Sequence, residues 1–319
     1  MARLVLHIGS HKTGTTALQS ALKRSGEALA PQNAAVANAR FGERLLVQTT
    51  GTEDSFRATL REKMADKLFR PQADTTIISE ELLFWLDDEA SIATLSQIIR
   101  DRFDDVSIVA YLRRQDQIVL SHRKQVALGR AAQLFYGADF LRLPKLQPHL
   151  MRYLDYHAKL VGLWAAHFGP EAMIVVPYER ERLVDQDIVA DFSHRIGFQL
   201  GPQKADKNLP LSGAQLVSGF ALAGLGLSIE QMKSVLAAVD EAMAGDQHRL
   251  LPTRAEAQEF MAAFAGSNAR LAETFRIDGK PLEFSASFDS YPETHQPEWT
   301  SEEVRTLIRC LVSLPQIRP

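Results

Sequence analysis

Residues 3–16, RLVLHIGSHKTGTT, constrain the fold more than any other stretch. A short apolar run that ends in glycine reads as a buried parallel strand. From Thr16 onward Ala17, Leu18, Ala21 and Leu22 share one helical face, with Gly26 as the predicted C-terminal stop. Between strand and helix, Gly9 and Gly14 have the G-x-x-x-x-G spacing of a phosphate-binding loop. Such a loop turns successive backbone N–H groups toward one point, which the positive end of the following helix also faces. In the usual pattern lysine follows the second glycine. Here Thr15 holds that slot and the lysine is Lys12, inside the loop. Gly9, Ser10, His11, Lys12, Thr13, Gly14, Thr15 and Thr16 therefore make a candidate anion site. Lys12 would reach the outer oxygens, and Thr15 and Thr16 would add hydroxyl donors.

Further β-like runs lie at 75–79 (TTIIS), 106–112 (VSIVAYL) and 173–177 (MIVVP). Helical patterns separate them: Ile92, Leu95, Ile98 and Ile99, then Val184, Ile188, Val189, Phe192 and Ile196. Strands alternating with helices predict an α/β fold with a mostly parallel sheet, the four runs near its centre and helices on both faces. After about residue 200 the β signals fade. Ser212–Gln215, Ser228–Gln231, Thr253–Glu256 and Thr300–Glu303 have the spacing of a capping box. Ile229, Met232, Leu236, Val239 and Met243 form an apolar stripe. We read residues 1–319 as a single domain, with a sheet core over about 1–200 and a helical part over about 201–319.

The net charge of −3 argues against bulk nucleic-acid binding. The single cysteine, Cys310, excludes an intramolecular disulfide and a cysteine-rich metal site, and reads as a small core residue. No segment has the roughly 18 uninterrupted apolar residues of a membrane span, and RLVLHI is too short for a signal peptide. A cytoplasmic protein is expected.

An ATPase or kinase of the phosphate-loop type needs magnesium, held by a loop Ser/Thr and an Asp at the end of another strand. Here the neighbouring strands end in Ser79-Glu80-Glu81 and Arg113-Arg114. No metal is expected on this pattern, although Glu80 could stand in for the Asp. An arginine leaving the C-terminal edge of a parallel sheet points into the crevice where such folds bind ligands. A helix starting near Asp116 turns Ser121 the same way, and guanidinium plus hydroxyl suits a phosphate; on its own, however, the pair reads as a surface arginine and a helix serine.

HIGSHKTGTTALQ (7–19) resembles the phosphosulfate loop of sulfotransferases that use 3′-phosphoadenosine 5′-phosphosulfate (PAPS), with lysine before the glycine. YLRRQDQIVLS resembles the second signature of that superfamily, an arginine and a serine eight apart, here Arg113 and Ser121. YHAKLVGLWAAHFGPEAMIVVPYERERL (156–183) is similar to its bacterial branch, and NLPLS (208–212) resembles an N-x-S-L-S element with Pro210 at the usual serine. The R-K-G-x-x-G donor loop of the cytosolic enzymes is absent. The resemblance implies a PAPS-dependent transfer of a sulfuryl group to a hydroxyl or amine. The product would be 3′,5′-adenosine bisphosphate, and the acceptor a small molecule or glycan. It places the phosphosulfate in the loop and the 3′-phosphate on Arg113 and Ser121.

Such a transfer needs a general base. Glu80, after the second strand run, is the first candidate and Glu81 the second; one of the two is expected to begin a helix. His11 is a backup base or a structural loop residue. The alternatives are a phosphate-loop kinase or NTPase, and a non-catalytic nucleotide-binding protein of the same fold.

Overall fold

The computed structural model describes residues 1–37, 46–51, 55–129, 142–201, 210–223, 225–315 and 317. Residues 208 and 209 of the NLPLS element lie outside them. The chain divides into two compact units. The first comprises Met1–Arg114, Met151–Asp206 and Phe264–Ser285; the second comprises Gln115–Leu150, Lys207–Ala263 and Ala286–Pro319.

Nine strands are described, in chain order β1 Arg3–His7, β2 Ala34–Val36, β3 Val47–Thr50, β4 Arg57–Leu60, β5 Thr75–Ser79, β6 Asp105–Leu112, β7 Met173–Pro177, β8 Arg276–Ile277 and β9 Lys280–Pro281. Five form the main sheet of the first unit, in the order β2-β5-β1-β6-β7, and every pairing is parallel. The four apolar runs read from sequence are four of these strands. β1 lies at the centre and pairs His7 with Ser79 of β5 and with Val109 of β6. β7 is an edge strand rather than a central one, and the short β2, AAV, forms the other edge.

Side chains alternate across a strand, and both faces of β1 are covered. Val5 joins a core with Leu18 and Leu22 of the helix Thr15–Arg24 and Phe192 of the helix Ile188–Ile196. Leu4 and Leu6, on the opposite face, are equally buried. Asp187 caps the second of those helices, accepting from the N–H groups of Val189 and Ala190 at 2.9 Å each. Gly197 ends it in the left-handed conformation that a C-terminal stop requires.

Gly26 does not stop the first helix. That helix ends at Ser25, whose Oγ donates to the Ala21 carbonyl (2.8 Å) and accepts from Gly201 N–H (2.8 Å), and Gly26 opens a further short turn. β structure also persists beyond residue 200: β8 and β9 pair antiparallel around Asp278-Gly279, both at positive φ, a two-residue hairpin turn.

In the second unit the capping boxes at Ser212, Ser228 and Thr300 form as the spacing predicts, and so does that at Thr253. Met232, Leu236 and Val239 are buried on the helix Ile229–Ala242, but Ile229, at its first residue, is 40 % exposed. Cys310 is half-buried rather than enclosed, with its Sγ 3.6 Å from the Ala238 carbonyl. Among the described residues no helix is long and apolar enough to cross a membrane.

Candidate active site

Because the sheet is parallel, the loops that follow β1, β5, β6 and β7 leave it at the same edge. That edge receives the loop 8–14 from β1, Glu80 and Glu81 from β5, Arg113 from β6 and Tyr178 from β7. Backbone bonds continue the ladder past the strand ends: Glu80 N–H to His7 O (2.9 Å), Ile8 N–H to Val109 O (3.0 Å) and Tyr178 N–H to Leu112 O (2.6 Å).

The loop runs through three left-handed residues, Gly9 (φ 65°), Lys12 (φ 64°) and Gly14 (φ 76°). For lysine this conformation costs about 1–2 kcal/mol, so neighbouring contacts must hold it. Thr13 Oγ1 donates across the turn to Ser10 O (2.6 Å), and Ser10 Oγ donates to Tyr111 O in β6 (2.9 Å). Both hydroxyls are fully buried. Ser10 and Thr13 therefore build the loop rather than offer side-chain donors to a ligand. Thr16 is exposed at the helix start. The helix Thr15–Arg24 has Gly14 as its N-cap, no side-chain cap and no acidic residue in its first turn. Its first N–H groups have no intrahelical acceptor, and no acidic residue of its own first turn offsets the positive end of its dipole.

Gly14 sits tightly in the site. A Cβ there would meet Tyr178 Oη and Ile188 Cγ2, each at 3.1 Å. Arg113 Nη1 donates to the Lys12 carbonyl (3.3 Å), and Tyr156 Oη donates to the Arg113 carbonyl (2.7 Å). The structure thus brings Arg113 to the loop. Burial raises the Tyr178 pKa, and the nearby Arg113 charge works against that rise. Ser121 lies on the helix Gln115–Ala127, which starts where the sequence pattern places it, and belongs to the second unit.

The two glutamates have different surroundings. Glu80 is buried and caps the short 3₁₀ turn Glu81–Trp85, its carboxylate accepting from Leu82 N–H at 3.1 Å. Burial pushes its pKa up to about 7, the Leu82 bond pulls it down, and the Glu81 charge adds to the rise. Glu81 accepts a short hydrogen bond from Thr15 Oγ1. Thr15 is thereby tied to the carboxylate turn.

His11 joins an aromatic cluster that sequence reasoning did not find. The Trp85 indole N–H donates to His11 Nε2 (2.9 Å), and His11 Nδ1 lies 3.2 Å from Tyr153 Oη. An accepting Nε2 puts the proton on Nδ1, so the ring is neutral and its basic nitrogen is occupied. This arrangement favours the structural reading of His11 over the backup base. Trp85 and Tyr153 pack at a tilt of 33°, with ring centroids 4.5 Å apart. The fully buried Lys159 completes the cluster: its Nζ donates to Leu86 O (3.1 Å) and lies 5.4 Å from the Phe84 ring centroid. The glycine loop with its helix start and the carboxylate turn are therefore joined through side chains by Thr15–Glu81 and by His11–Trp85.

The chain is similar to a solved bacterial sulfotransferase. That protein, from Alicyclobacillus acidocaldarius, shares 15% sequence identity over 73% of this chain and 95% of its own, at a TM-score of 0.33. Likeness at that level carries no argument about chemistry, which rests on the residues above. No family model and no curated protein matches the sequence.

Tyr178, Trp85, Tyr153 and Lys159 were given no role on the sequence alone. Tyr178 stands directly after a strand run, in the Tyr-Glu pair of the stretch that resembles the bacterial branch. Trp85 follows the glutamates in ELLFW, and nothing local distinguishes it from a core residue.

Proposed function

We infer that the protein is a sulfotransferase that takes its sulfuryl group from PAPS. The observation that carries this reading is the convergence of Arg113 on the Lys12 carbonyl, in a loop whose lysine precedes the second glycine. The residues fit the donor: the tight, left-handed loop and uncapped helix start suit a phosphate group, and Gly14 leaves no room for a side chain. When bound, the donor supplies an electrophilic sulfur with a phosphate leaving group. Lys12 and the loop N–H groups stabilise charge developing on the departing oxygen, so most of the catalysis is positioning and electrostatics. Arg113 is assigned to the 3′-phosphate, with Ser121 as the partner that the sequence pattern pairs with it. Glu80 is the base that takes the acceptor's proton. Its pKa of about 7 is matched to that task near neutral pH. The acceptor is a small hydroxyl or amine compound, with a glycan the class implied by the sequence resemblance.

One observation favours a second reading. A loop threonine paired with a strand-end carboxylate, as in Thr15–Glu81, is the kind of pair that a magnesium-dependent kinase or NTPase would use. Calorimetry with 3′,5′-adenosine bisphosphate, ATP and AMP, with and without magnesium, separates the two. Bisphosphate should bind without magnesium and more tightly than AMP. Arg113→Ala and Lys12→Ala should each weaken it by about tenfold or more, the loss of a charged contact worth about 1.5–3 kcal/mol, and Ser121→Ala by less. Magnesium-dependent ATP binding with no bisphosphate binding would replace the sulfotransferase reading with the kinase one.

A further inference from the structure

The second unit contains a cleft of about 310 Å³ whose residues take no part in the site above. Its walls come from His248, Leu250 and Leu251 and from residues 296–299, with Val304 and Arg142 beside them. These two walls are fastened side by side. Arg249 N–H donates to Gln296 Oε1 (2.7 Å), and Gln296 Nε2 donates to Gln247 O (3.0 Å).

His248 is held at both ring nitrogens. Nδ1 lies 2.6 Å from Asp246 Oδ1, and Nε2 lies 2.9 Å from Pro297 O. Both partners are acceptors, so both nitrogens carry protons and the ring is an imidazolium paired with Asp246. Burial acts to lower the His248 pKa, and the bonds to Asp246 and Pro297 together outweigh it and raise it. Asp246 also accepts from the Trp299 indole N–H (3.3 Å), and the Trp299 and His248 rings lie 4.7 Å apart. Trp299 is thus fixed in place before any ligand arrives.

Leu250 is left-handed (φ 50°), a conformation leucine rarely adopts. The buried guanidinium of Arg123 clamps it, with Nη1 donating to Leu250 O (2.6 Å) and Nη2 to Arg249 O (3.3 Å). In an extended segment consecutive side chains point to opposite faces. The kink breaks that alternation, and both Leu250 and Leu251 line the cleft. Backbone strain held by a buried charge, at the wall of a cavity, is the pattern of a built site.

The remaining polar group is Arg142. Its Nε is buried and has no hydrogen-bond partner among the described residues. Two carboxylates oppose a highly charged ligand: Glu256, within electrostatic reach of Arg142, and Glu298, exposed at the rim. With His248 paired to Asp246, Arg142 is the cationic side chain that remains in the lining, and Glu256 and Glu298 limit a ligand to a single negative charge. We propose that this cleft binds an aromatic carboxylate, its ring against Trp299 and the leucines and its carboxylate on the Arg142 guanidinium.

The chain has three tryptophans, so the Trp299 indole N–H is one of three such signals in a ¹⁵N spectrum, identified by its loss in Trp299→Phe. Benzoate is the probe, with benzamide as its neutral isostere and inorganic phosphate as the bare anion. Benzoate should shift the Trp299 signal saturably, with Kd on the order of 1 mM. Benzamide and Arg142→Gln should each weaken binding by about tenfold, and Lys12→Ala should leave it unchanged. Val304→Glu, a change at a position 41 % exposed on a helix surface, provides a second variant should Arg142→Gln fail to fold. It should weaken benzoate but not benzamide. The proposal is overturned by absence of saturation, by equal binding of benzamide, by an equal response to phosphate, or by dependence on Lys12.

Discussion

Glu80→Gln separates a catalytic carboxylate from a structural one, because the two roles pull stability in opposite directions. In the folded chain burial raises the Glu80 pKa from 4.5 to about 7. Between those values the unfolded chain releases a proton that the folded chain keeps. Stability contributed by this group is therefore complete below pH 4.5, falls as pH rises, and is lost by about pH 7. The gap corresponds to about 3 kcal/mol of destabilisation above pH 7. Glutamine keeps an oxygen to accept from Leu82 N–H and carries no charge. The variant should be more stable than wild type at pH 8 by up to about 3 kcal/mol, and within about 1 kcal/mol of it at pH 5. Urea unfolding in a Trp299→Phe background reads this in the first unit, whose tryptophans are Trp85 and Trp164. In the same protein sulfuryl transfer should collapse, while wild-type kcat/KM should rise with pH through about 7 as Glu80 ionises. Identical pH dependence of stability in the two proteins would refute the burial argument. Full activity in the variant would pass the base to Glu81.

Trp85→Phe removes the donor to His11 Nε2 and keeps an aromatic ring; bisphosphate affinity should drop about fivefold, the worth of one hydrogen bond of about 1 kcal/mol, as read by calorimetry. Gly14→Ala forces a side chain against Tyr178 and Ile188 at a positive φ, so it should lose about 1–3 kcal/mol in urea unfolding and most donor binding. Burial lowers the Lys159 pKa from 10.5 to about 8, so the unfolded chain binds more protons between those values and first-unit stability rises with pH there. Lys159→Met should abolish that rise, and an unchanged slope across the window would contradict it.

What was legible in the sequence was local. The strand runs at 3–8, 75–79, 106–112 and 173–177 are apolar because both faces of their sheet are covered. The four capping boxes need only residues three apart. β2 was not legible, since AAV is too short and too small to declare itself, and among the described residues its pairing is with β5 alone. Gly26 misled for a similar reason: the helix end is decided by Ser25 and a bond from Gly201, 176 residues away. Arg113 was visible from its place after a strand. The difference between Glu80 and Glu81 was not, because it consists of burial for one and a hydroxyl from Thr15 for the other.

The same distinction bears on how the loop recognises its ligand. Read as sequence, GSHKTGTT offers four hydroxyls and a histidine. In the fold, Ser10 and Thr13 bond the loop's own frame, Thr15 bonds Glu81, and His11 bonds Trp85 and Tyr153. Only Thr16 among the hydroxyls is exposed at the helix start. Under the proposed function, recognition of a phosphate group would then fall to backbone N–H groups, Lys12 and Arg113. A site built this way selects by charge and by the close approach that Gly14 permits, and its hydroxyls act by holding that shape. Thr13→Val should therefore weaken bisphosphate binding by loosening the Lys12 turn, and lower the stability of the first unit in parallel. Weakened binding at full stability would mean that the Thr13 hydroxyl turns to the ligand instead.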